Sequence, residues 1–154
     1  MTKPRLLLDT NIVIDFLNQR DPFYEDARLL MILGRLSEFE LWVSSSQVTD
    51  LVYILSDGGR AQLIPEVLEQ LRDLRGFVNV YAAGEREVDA MLAKAWRDPE
   101  DSLLYEVAIA LRATALLSRN QRDFPEGLIP VLDCGEFFAW WKEREGVEYG
   151  EVEF

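Results

Sequence analysis

Short apolar runs alternate with amphipathic segments along most of the chain, and this alternation predicts its secondary structure. The apolar runs have the length of buried strands, and they lie at 5–8, 40–44, 77–81, 115–118 and 130–132. Between them, apolar residues recur at helical spacing, which predicts helices over 11–17, 22–36, 46–55, 67–74, 85–96, 100–113 and 136–143. Strands separated by helices of this length predict parallel strands joined by right-handed crossovers.

The predicted fold is therefore α/β, with a central, mainly parallel sheet of about four to five strands between helices. A chain of 154 residues fits one domain, and we find no internal repeat or low-complexity linker. Much of the acidity lies near the C-terminus, in Glu143, Glu145, Glu148, Glu151 and Glu153. We expect residues 1–144 to form the domain and residues 145–154 to form an acidic tail.

Local signals predict where several helices begin and end. Asp21 before Pro22 has the pattern of an N-cap followed by proline at the first helical position. The serines at 44–46 can cap the helix that follows the second strand. The pair Gly58-Gly59 is typical of a break, so we expect that helix to end before it.

Composition limits the classes of function. The 28 acidic and 16 basic residues give a formal charge of −12, which argues against broad nonspecific adhesion to nucleic acid. A nucleic-acid enzyme remains compatible with this charge, because a bound cation neutralises carboxylates and a local arginine patch can bind phosphates. No segment has the apolar length of a membrane span, and Cys134 is the single cysteine. Since the N-terminus also has no signal-type apolar region, we expect a cytoplasmic protein without membrane contact.

Acidic and amide residues follow the predicted strands, where an open α/β sheet places its ligands. Asp9 comes directly after the first strand, Asp50 lies near the second, and Asp101 opens a later helix. The polar turn at 118–124 follows the fourth strand. Because the chain contains no histidine, its chemistry has to come from carboxylates, hydroxyls and amides, which favours a hard cation such as Mg²⁺ or Mn²⁺. With phosphates as co-ligands, such an ion supports hydrolysis by a metal-activated water.

Each of these acids also has a purely structural interpretation. Asp9 can cap the helix that starts near residue 11, and Asp101 can complement the dipole of its own helix. Asp50 can be an ordinary exposed side chain, although aspartate is a poor residue in the middle of a helix. Asp123 can cap a turn before Phe124. The joint pattern favours a site more strongly than any single residue does.

Four motifs in this order resemble the PIN domain, and more narrowly the PIN-domain ribonuclease toxins of toxin–antitoxin pairs (VapC-like). The resemblance spans residues 5–141 and rests on the segments LLDTNIVID (7–15), SQVTDL (46–51), DPED (98–101, with Ala108 downstream) and LSRNQRDF (117–124). It implies a PIN-like α/β/α sandwich and a Mg²⁺- or Mn²⁺-dependent endoribonuclease. It also implies an RNA substrate, a cognate antitoxin as partner, and a homodimer.

The resemblance assigns roles to particular residues. Asp9, Asp50 and Asp101 would form the acidic, metal-binding core, with Asn120 and Asp123 as further catalytic positions. Asn11 and Ser118 would support the site. Independently of the resemblance, the two arginines of the polar turn, Arg119 and Arg122, are predicted to bind the substrate's phosphates. Two departures matter: the second acidic position is commonly Glu in the family and is Asp50 here, and the fourth, often Asp, is Asn120. A second tightly bound metal ion would then depend on Asp123.

Three other functional classes share part of this sequence pattern. A phosphotransfer enzyme of the haloacid dehalogenase type would have a second acid two residues after the first, where this chain has Asn11. A receiver domain would have an acidic pair after the first strand and a lysine late in the chain, and neither is evident. The remaining alternative is a PIN-like module that binds RNA or protein with little or no cleavage.

Overall fold

The computed structural model describes residues 3–125 and 127–149. Its strands are β1 (Arg5–Leu8), β2 (Glu40–Ser44), β3 (Val78–Tyr81), β4 (Ala115–Leu117) and β5 (Val131–Leu132). Its helices are α1 (Thr10–Leu17), α2 (Tyr24–Arg35), α3 (Ser45–Leu55), α4 (Ile64–Leu74), α5 (Glu85–Leu92), α6 (Pro99–Leu111) and α7 (Cys134–Glu145). A 3₁₀ turn at Gln121–Asp123 lies between β4 and β5.

The five described strands form one sheet in the order β3-β2-β1-β4-β5, and all four pairings are parallel. The predicted α/β class and the predicted parallel sheet are therefore confirmed. The strand order reverses at β1, which lies between β2 and β4. In such a sheet the ligand cleft forms at the carboxyl ends of the strands beside this reversal. Residues that follow β1, β2 and β4 are thus brought to the same edge.

The core consists of two layers, one on each face of the sheet. Leu6 and Leu8 point into the larger layer, which α1, α2, α4 and α7 cover, whereas Leu7 points into the layer covered by α6. All three leucines are fully buried. A strand buried on both faces has no polar alternation, which explains the unbroken apolar run before Asp9.

Several predicted helix boundaries differ from the observed ones by two to four residues, and two of these differences have a clear structural cause. The second helix begins at Tyr24 with Phe23 at the N-cap, because the Phe23 amide bonds to the Arg20 carbonyl at 2.9 Å and closes a turn around Asp21 and Pro22. Asp21 is therefore not the N-cap. The fifth helix ends at Leu92 instead of residue 96, since tertiary packing of the Trp96 ring on Tyr105 and Phe124 takes the chain out of the helix.

The last helix continues to Glu145, and Tyr149 still packs edge-on against Phe39, with ring centroids 5.6 Å apart. The chain thus contacts the core beyond residue 144, while the acidic residues Glu151 and Glu153 lie outside the described residues. The boundary between domain and tail stays a prediction. Among the described helices, none combines the length and hydropathy required to cross a membrane.

Candidate active site

Asp9 stands at the carboxyl end of the central strand and is held by several donors. It is the N-cap of α1, where Oδ1 accepts a hydrogen bond from the Thr10 amide at 2.7 Å. Oδ2 accepts one from the Ser118 hydroxyl at 2.7 Å and a longer one from Nδ2 of Asn11 at 3.5 Å. The Asp9 carboxylate therefore both caps α1 and belongs to the candidate site, and its donors fix its orientation.

The residues after β4 complete this arrangement through the buried hydroxyl of Ser118. While it donates to Asp9, the hydroxyl oxygen accepts hydrogen bonds from the Asn120 amide at 3.0 Å and from Nδ2 of Asn11 at 3.4 Å. The Asn11 Oδ1 atom in turn accepts one from the Arg119 amide at 3.3 Å. The predicted supporting residues Asn11 and Ser118 therefore both contact Asp9 and join α1 to the loop.

Gln47 ties α3 to the end of β1. Its Oε1 accepts a hydrogen bond from the Ser44 amide at 2.7 Å, as part of the capping box that starts the helix. Its Nε2 donates to the Leu8 carbonyl at 2.9 Å and to the Thr10 hydroxyl at 3.3 Å. The predicted serine cap is confirmed, and the buried glutamine sets the position of α3, which includes Asp50, relative to Asp9.

The start of α6 also contributes carboxylates to the candidate site. Asp98 is its N-cap and accepts hydrogen bonds from the amides of Glu100 and Asp101 at 3.0 and 3.2 Å. Asp101 is half-buried in the first turn. Four carboxylates, those of Asp9, Asp98, Asp101 and Asp123, are close enough for their charges to interact, and we refer to them as the acidic cluster.

Burial and mutual repulsion raise the pKa values of two members of this cluster. Desolvation is the main reason that the pKa of Asp101 rises from 3.8 to about 7, and the charges of Asp98, Asp9 and Asp123 add to the effect. The pKa of Asp9 is also raised, chiefly by burial, although the hydrogen bonds from Ser118 and Thr10 oppose the shift. A carboxyl with a pKa near neutrality is typical of functional sites and of sites that receive a cation.

These elements surround an open cleft of about 390 Å³. Its walls contain residues of α1, the loop after it, α3, the start of α6 and the loop after β4: Asp9, Thr10, Asn11, Ile14, Arg20, Asp50, Tyr53, Ile54, Glu100 and Asn120. Tyr53 and Ile54 are exposed beside the acids. The cleft therefore combines oxygen donors with an aromatic ring and an arginine.

The structure brings most of the predicted site residues together. Asp9, Asn11, Asp50 and Asn120 line the cleft, and Ser118 lies directly beneath Asp9. Asp101 and Asp123 contribute through their charges as members of the acidic cluster.

The two arginines predicted to bind substrate differ in their surroundings. The guanidinium of Arg119 is paired with Asp15 in α1. Arg122 is exposed on the 3₁₀ turn.

Four residues of this region were missed as site candidates. Asp98 and Glu100 belong to the DPED motif, and their position beside Asp101 was a usable signal. Gln47 gave a weak signal, because a glutamine three residues after a serine N-cap is typical of a capping box. Asp15 could have been noticed as a lone acid in the apolar helix sequence TNIVIDFL.

The donor set fits a hard divalent cation by its chemistry. All candidate ligands are carboxylate, hydroxyl or amide oxygens. The pKa values of Asp9 and Asp101 are raised first by burial and then by neighbouring carboxylates, and a bound cation would favour the ionised form against both effects. Within the described ranges, however, no three acidic side chains converge closely enough to form a finished ligand group. Asp9, fixed by its donors, is the best-defined ligand candidate, and the others would have to move toward it.

Comparisons with known proteins agree with this architecture. At 25% identity over 142 residues, the chain is similar to ribonuclease VapC1 of Aquifex aeolicus (strain VF5), covering 92% of this chain and 98% of that protein. A toxin–antitoxin complex from Klebsiella pneumoniae superposes with a TM-score of 0.62 at 19% identity, over 84% of this chain and 97% of that one. VapBC2 from Rickettsia felis, bound to a promoter DNA fragment, gives a TM-score of 0.59 at 17% identity, with the same coverage of 84% and 97%. The PIN domain family profile matches residues 5–122, so the chain belongs to the PIN domain family.

Proposed function

We propose that this protein is a divalent-metal-dependent endoribonuclease and the toxin of a toxin–antitoxin pair. Support comes from its membership of the PIN domain family and from its similarity to a VapC ribonuclease over nearly the whole length of both chains. The solved relatives with the same fold come from toxin–antitoxin complexes.

One observation favours this function above the others: Asp9 at the central strand end is held rigidly within a group of like charges. Three donors fix its carboxylate, while burial and the charges of Asp98 and Asp123 raise its pKa. A carboxylate that only caps a helix needs neither the neighbouring acids nor the hydrogen bonds from Ser118 and Asn11. Pre-positioned oxygens in an open cleft are the arrangement that phosphodiester hydrolysis requires.

In this proposal Asp9, Asp101 and Asp50 bind Mg²⁺ or Mn²⁺, with Asn120 and Asp123 as further oxygen donors. The ion would supply Lewis acidity and an activated water when bound. Ser118 and Asn11 keep the Asp9 carboxylate oriented toward the cleft. Asn120 offers an amide oxygen without charge, so Asp123 becomes the source of any further negative charge on that side.

The proposed substrate is RNA in a single-stranded or looped form. The cleft is open and lined by a flat ring, Tyr53, and by a cation, Arg20, which suit an unpaired base and a phosphate. Arg122, exposed on the 3₁₀ turn, is a further candidate for phosphate contact. The net charge of −12 implies that binding depends on such local cations and on the metal ion.

The proposed partners are a cognate antitoxin and a second copy of the chain. A groove of about 810 Å³ runs between α1, α2 and α4. It is lined by apolar residues, Phe16, Leu17, Tyr24 and Phe77 among them, and by the polar or charged residues Arg28, Arg35, Gln70 and Asp73. We assign this groove to an apolar segment of the antitoxin. Two exposed apolar residues of α5, Val88 and Leu92, are candidates for a homodimer contact.

A specific observation also favours a second candidate, a PIN-like module that binds without cutting. The second acid is the shorter Asp50, the fourth position is Asn120, and no described group of three acids is preassembled. Both candidates predict RNA or protein binding. Only the nuclease predicts metal-dependent breakage of the chain.

A labelled single-stranded RNA and a DNA of the same sequence separate these two functions. Each is incubated with purified protein in Mg²⁺, in Mn²⁺ and in EDTA, and products are resolved at nucleotide resolution. The nuclease proposal expects internal RNA cleavage with either metal and none in EDTA. Binding with intact RNA under all conditions would select the non-cutting module.

A further inference from the structure

Beside the cleft, Arg119 and Asp15 form a bidentate ion pair. Nε of Arg119 lies 2.6 Å from Oδ2 of Asp15, and its second nitrogen, Nη2, lies 3.1 Å from Oδ1. The Asp15 side chain is 1% exposed, and the Arg119 side chain is 25% exposed. The guanidinium carbon also lies 4.1 Å from the centre of the Phe23 ring. The cation is therefore occupied by a carboxylate and by an aromatic face.

This pairing restricts what Arg119 can do. Within the described part of the chain, the carboxylate of Asp15 has hydrogen bonds only to this guanidinium. A phosphate that captured Arg119 would leave a carboxylate charge buried without a partner, which is strongly unfavourable. The geometry thus opposes the direct substrate-binding role that was predicted for Arg119 from the sequence.

The backbone of the same residue belongs to the network around Asp9. Ser118 donates to Asp9, the Arg119 amide donates to Asn11, and the Asn120 amide donates to Ser118. Ser118 and Arg119 are thus bonded to the start of α1, and Asn120 is bonded to Ser118, by hydrogen bonds of 2.7 to 3.3 Å. The Arg119 side chain anchors the middle residue of this run to Asp15, about one turn beyond Asn11 in the same helix.

We propose that Arg119 is a positioning residue that acts through Asp15. The ion pair fixes the loop after β4 against α1, so that Ser118 and Asn120 stay in place beside Asp9. For catalysis this inference rests on the proposed nuclease function, but its structural part does not. It replaces the expected substrate-binding role of Arg119 and gives Asp15 a role that no sequence motif assigned.

Two conservative variants and one double variant test the proposal. Arg119→Lys keeps the positive charge but loses the bidentate geometry, whereas Asp15→Asn keeps the shape of the side chain but loses its negative charge. Asp15→Asn with Arg119→Met removes both charges, which avoids an unpaired buried ion if a single variant folds poorly. Arg144→Met is the matched control, because Arg144 also lies over an aromatic ring, Trp140, and beside a carboxylate, Glu145, at the end of α7.

The first measurement is amide hydrogen exchange of Asn120 in the metal-free protein, which needs no catalytic activity. We expect exchange to accelerate about tenfold or more in Arg119→Lys, in Asp15→Asn and in the double variant, because the loop loses its anchor. Arg144→Met should match the wild type. Unchanged exchange in all three variants would overturn the proposal, whether or not the protein cleaves RNA.

The second measurement separates kcat from KM on single-stranded RNA with Mn²⁺. We expect kcat to fall about tenfold in both single variants with KM nearly unchanged, and the double variant to lose no more than either single one. A rise in KM confined to the Arg119 variants, with normal Asp15→Asn kinetics, would instead establish a direct phosphate contact. Faster exchange without any wild-type cleavage would refute the nuclease function and leave the anchoring role intact.

Discussion

The Ser118 hydroxyl donates a hydrogen bond of 2.7 Å to Oδ2 of Asp9 across 109 positions of sequence. Both residues follow neighbouring parallel strands, β4 and β1, and Leu117 is in register with Leu8. The register of the sheet therefore places a buried hydroxyl directly against the best-defined acid of the site. This contact makes the loop after β4 part of the same unit as the start of α1.

Removing this hydroxyl should impair activity more than folding. In Ser118→Ala the Asn120 amide loses its acceptor and Asp9 loses its closest side-chain donor. We expect kcat to fall about tenfold to a hundredfold because of misplacement, and the free energy of unfolding to decrease by about 1–3 kcal/mol. Initial rates and urea denaturation test this. Full activity in Ser118→Ala would show that Asp9 needs no such support.

Ser102→Ala is a matched control for this change. Ser102 is equally buried in α6, and its hydroxyl has no hydrogen-bond partner among the described residues. Its removal should leave both the kinetic constants and the stability close to wild type.

The raised pKa of Asp101 predicts an unusual dependence of stability on pH. Because its pKa is about 7 in the folded state and ordinary in the unfolded chain, the folded protein retains a proton between about pH 4 and pH 7 that the unfolded chain has lost. Stability of the metal-free protein should thus fall as pH rises through this window. Asp101→Asn should remove this contribution, which thermal unfolding at several pH values measures.

The same carboxyl links metal binding to protons. Binding of Mn²⁺ requires the ionised form of Asp101, so affinity should increase as pH rises toward and past about 7. Calorimetric titrations in two buffers of different ionisation enthalpy would detect the released proton. Affinity that is independent of pH would exclude Asp101 as a ligand.

The loop after β4 contains a second test of the acidic cluster. Asp123 influences the pKa values of both Asp9 and Asp101, whereas Asn120 lines the cleft without adding charge. We expect Asp123→Asn to weaken Mn²⁺ binding and activity clearly, and Asn120→Asp to maintain or raise both. Calorimetry with Mn²⁺ measures both variants. Unchanged affinity in Asp123→Asn would leave this residue with a turn-forming role only.

The groove between α1, α2 and α4 predicts a separation of antitoxin binding from catalysis. Tyr24→Glu places a charge in the apolar part of this groove, where Tyr24 stacks on Phe16 with ring centroids 6.3 Å apart. Neutralisation of the nuclease by its cognate antitoxin should weaken about tenfold or more, while RNA cleavage by the variant alone remains.

The proposed homodimer has a test of its own. Light scattering of the free wild-type protein should give the mass of a dimer. A monomeric mass at all micromolar concentrations would contradict the homodimer.

Much of this architecture was predictable because its signals are local. The apolar run before Asp9, the serine cap at Ser44 and the polar turn after β4 each determine their own element, and the parallel topology then brings their ends together. The contacts that the sequence did not reveal are a turn that competes with a helix-start signal and a nonlocal packing contact. The start of α2 depends on a turn around Asp21 and Pro22, and the end of α5 depends on where Trp96 packs.

The same distinction separates the two arginines of the loop from each other. Nothing in the segment 117–124 indicates that Arg119 faces a buried acid in α1 while Arg122 stays exposed, since the partner Asp15 lies 104 positions away. An arginine beside acidic residues is compatible with phosphate binding and with an internal ion pair, and only the packing of α1 against the loop decides between them. For the same reason, the sequence identified the acids but did not show how closely their side chains approach one another.

The central claim is that Asp9 belongs to a metal-dependent nuclease site, and one pair of variants tests it most directly. Asp9→Asn preserves the shape and the helix cap, and Asp89→Asn makes the same chemical change on an exposed position of α5. Both are assayed on single-stranded RNA with Mn²⁺ beside wild-type protein, with and without EDTA. We predict that wild type and Asp89→Asn cleave only when the metal ion is present and that Asp9→Asn loses at least about a hundredfold in rate. Equal cleavage by wild type and Asp9→Asn, or cleavage that persists in EDTA, would contradict the account.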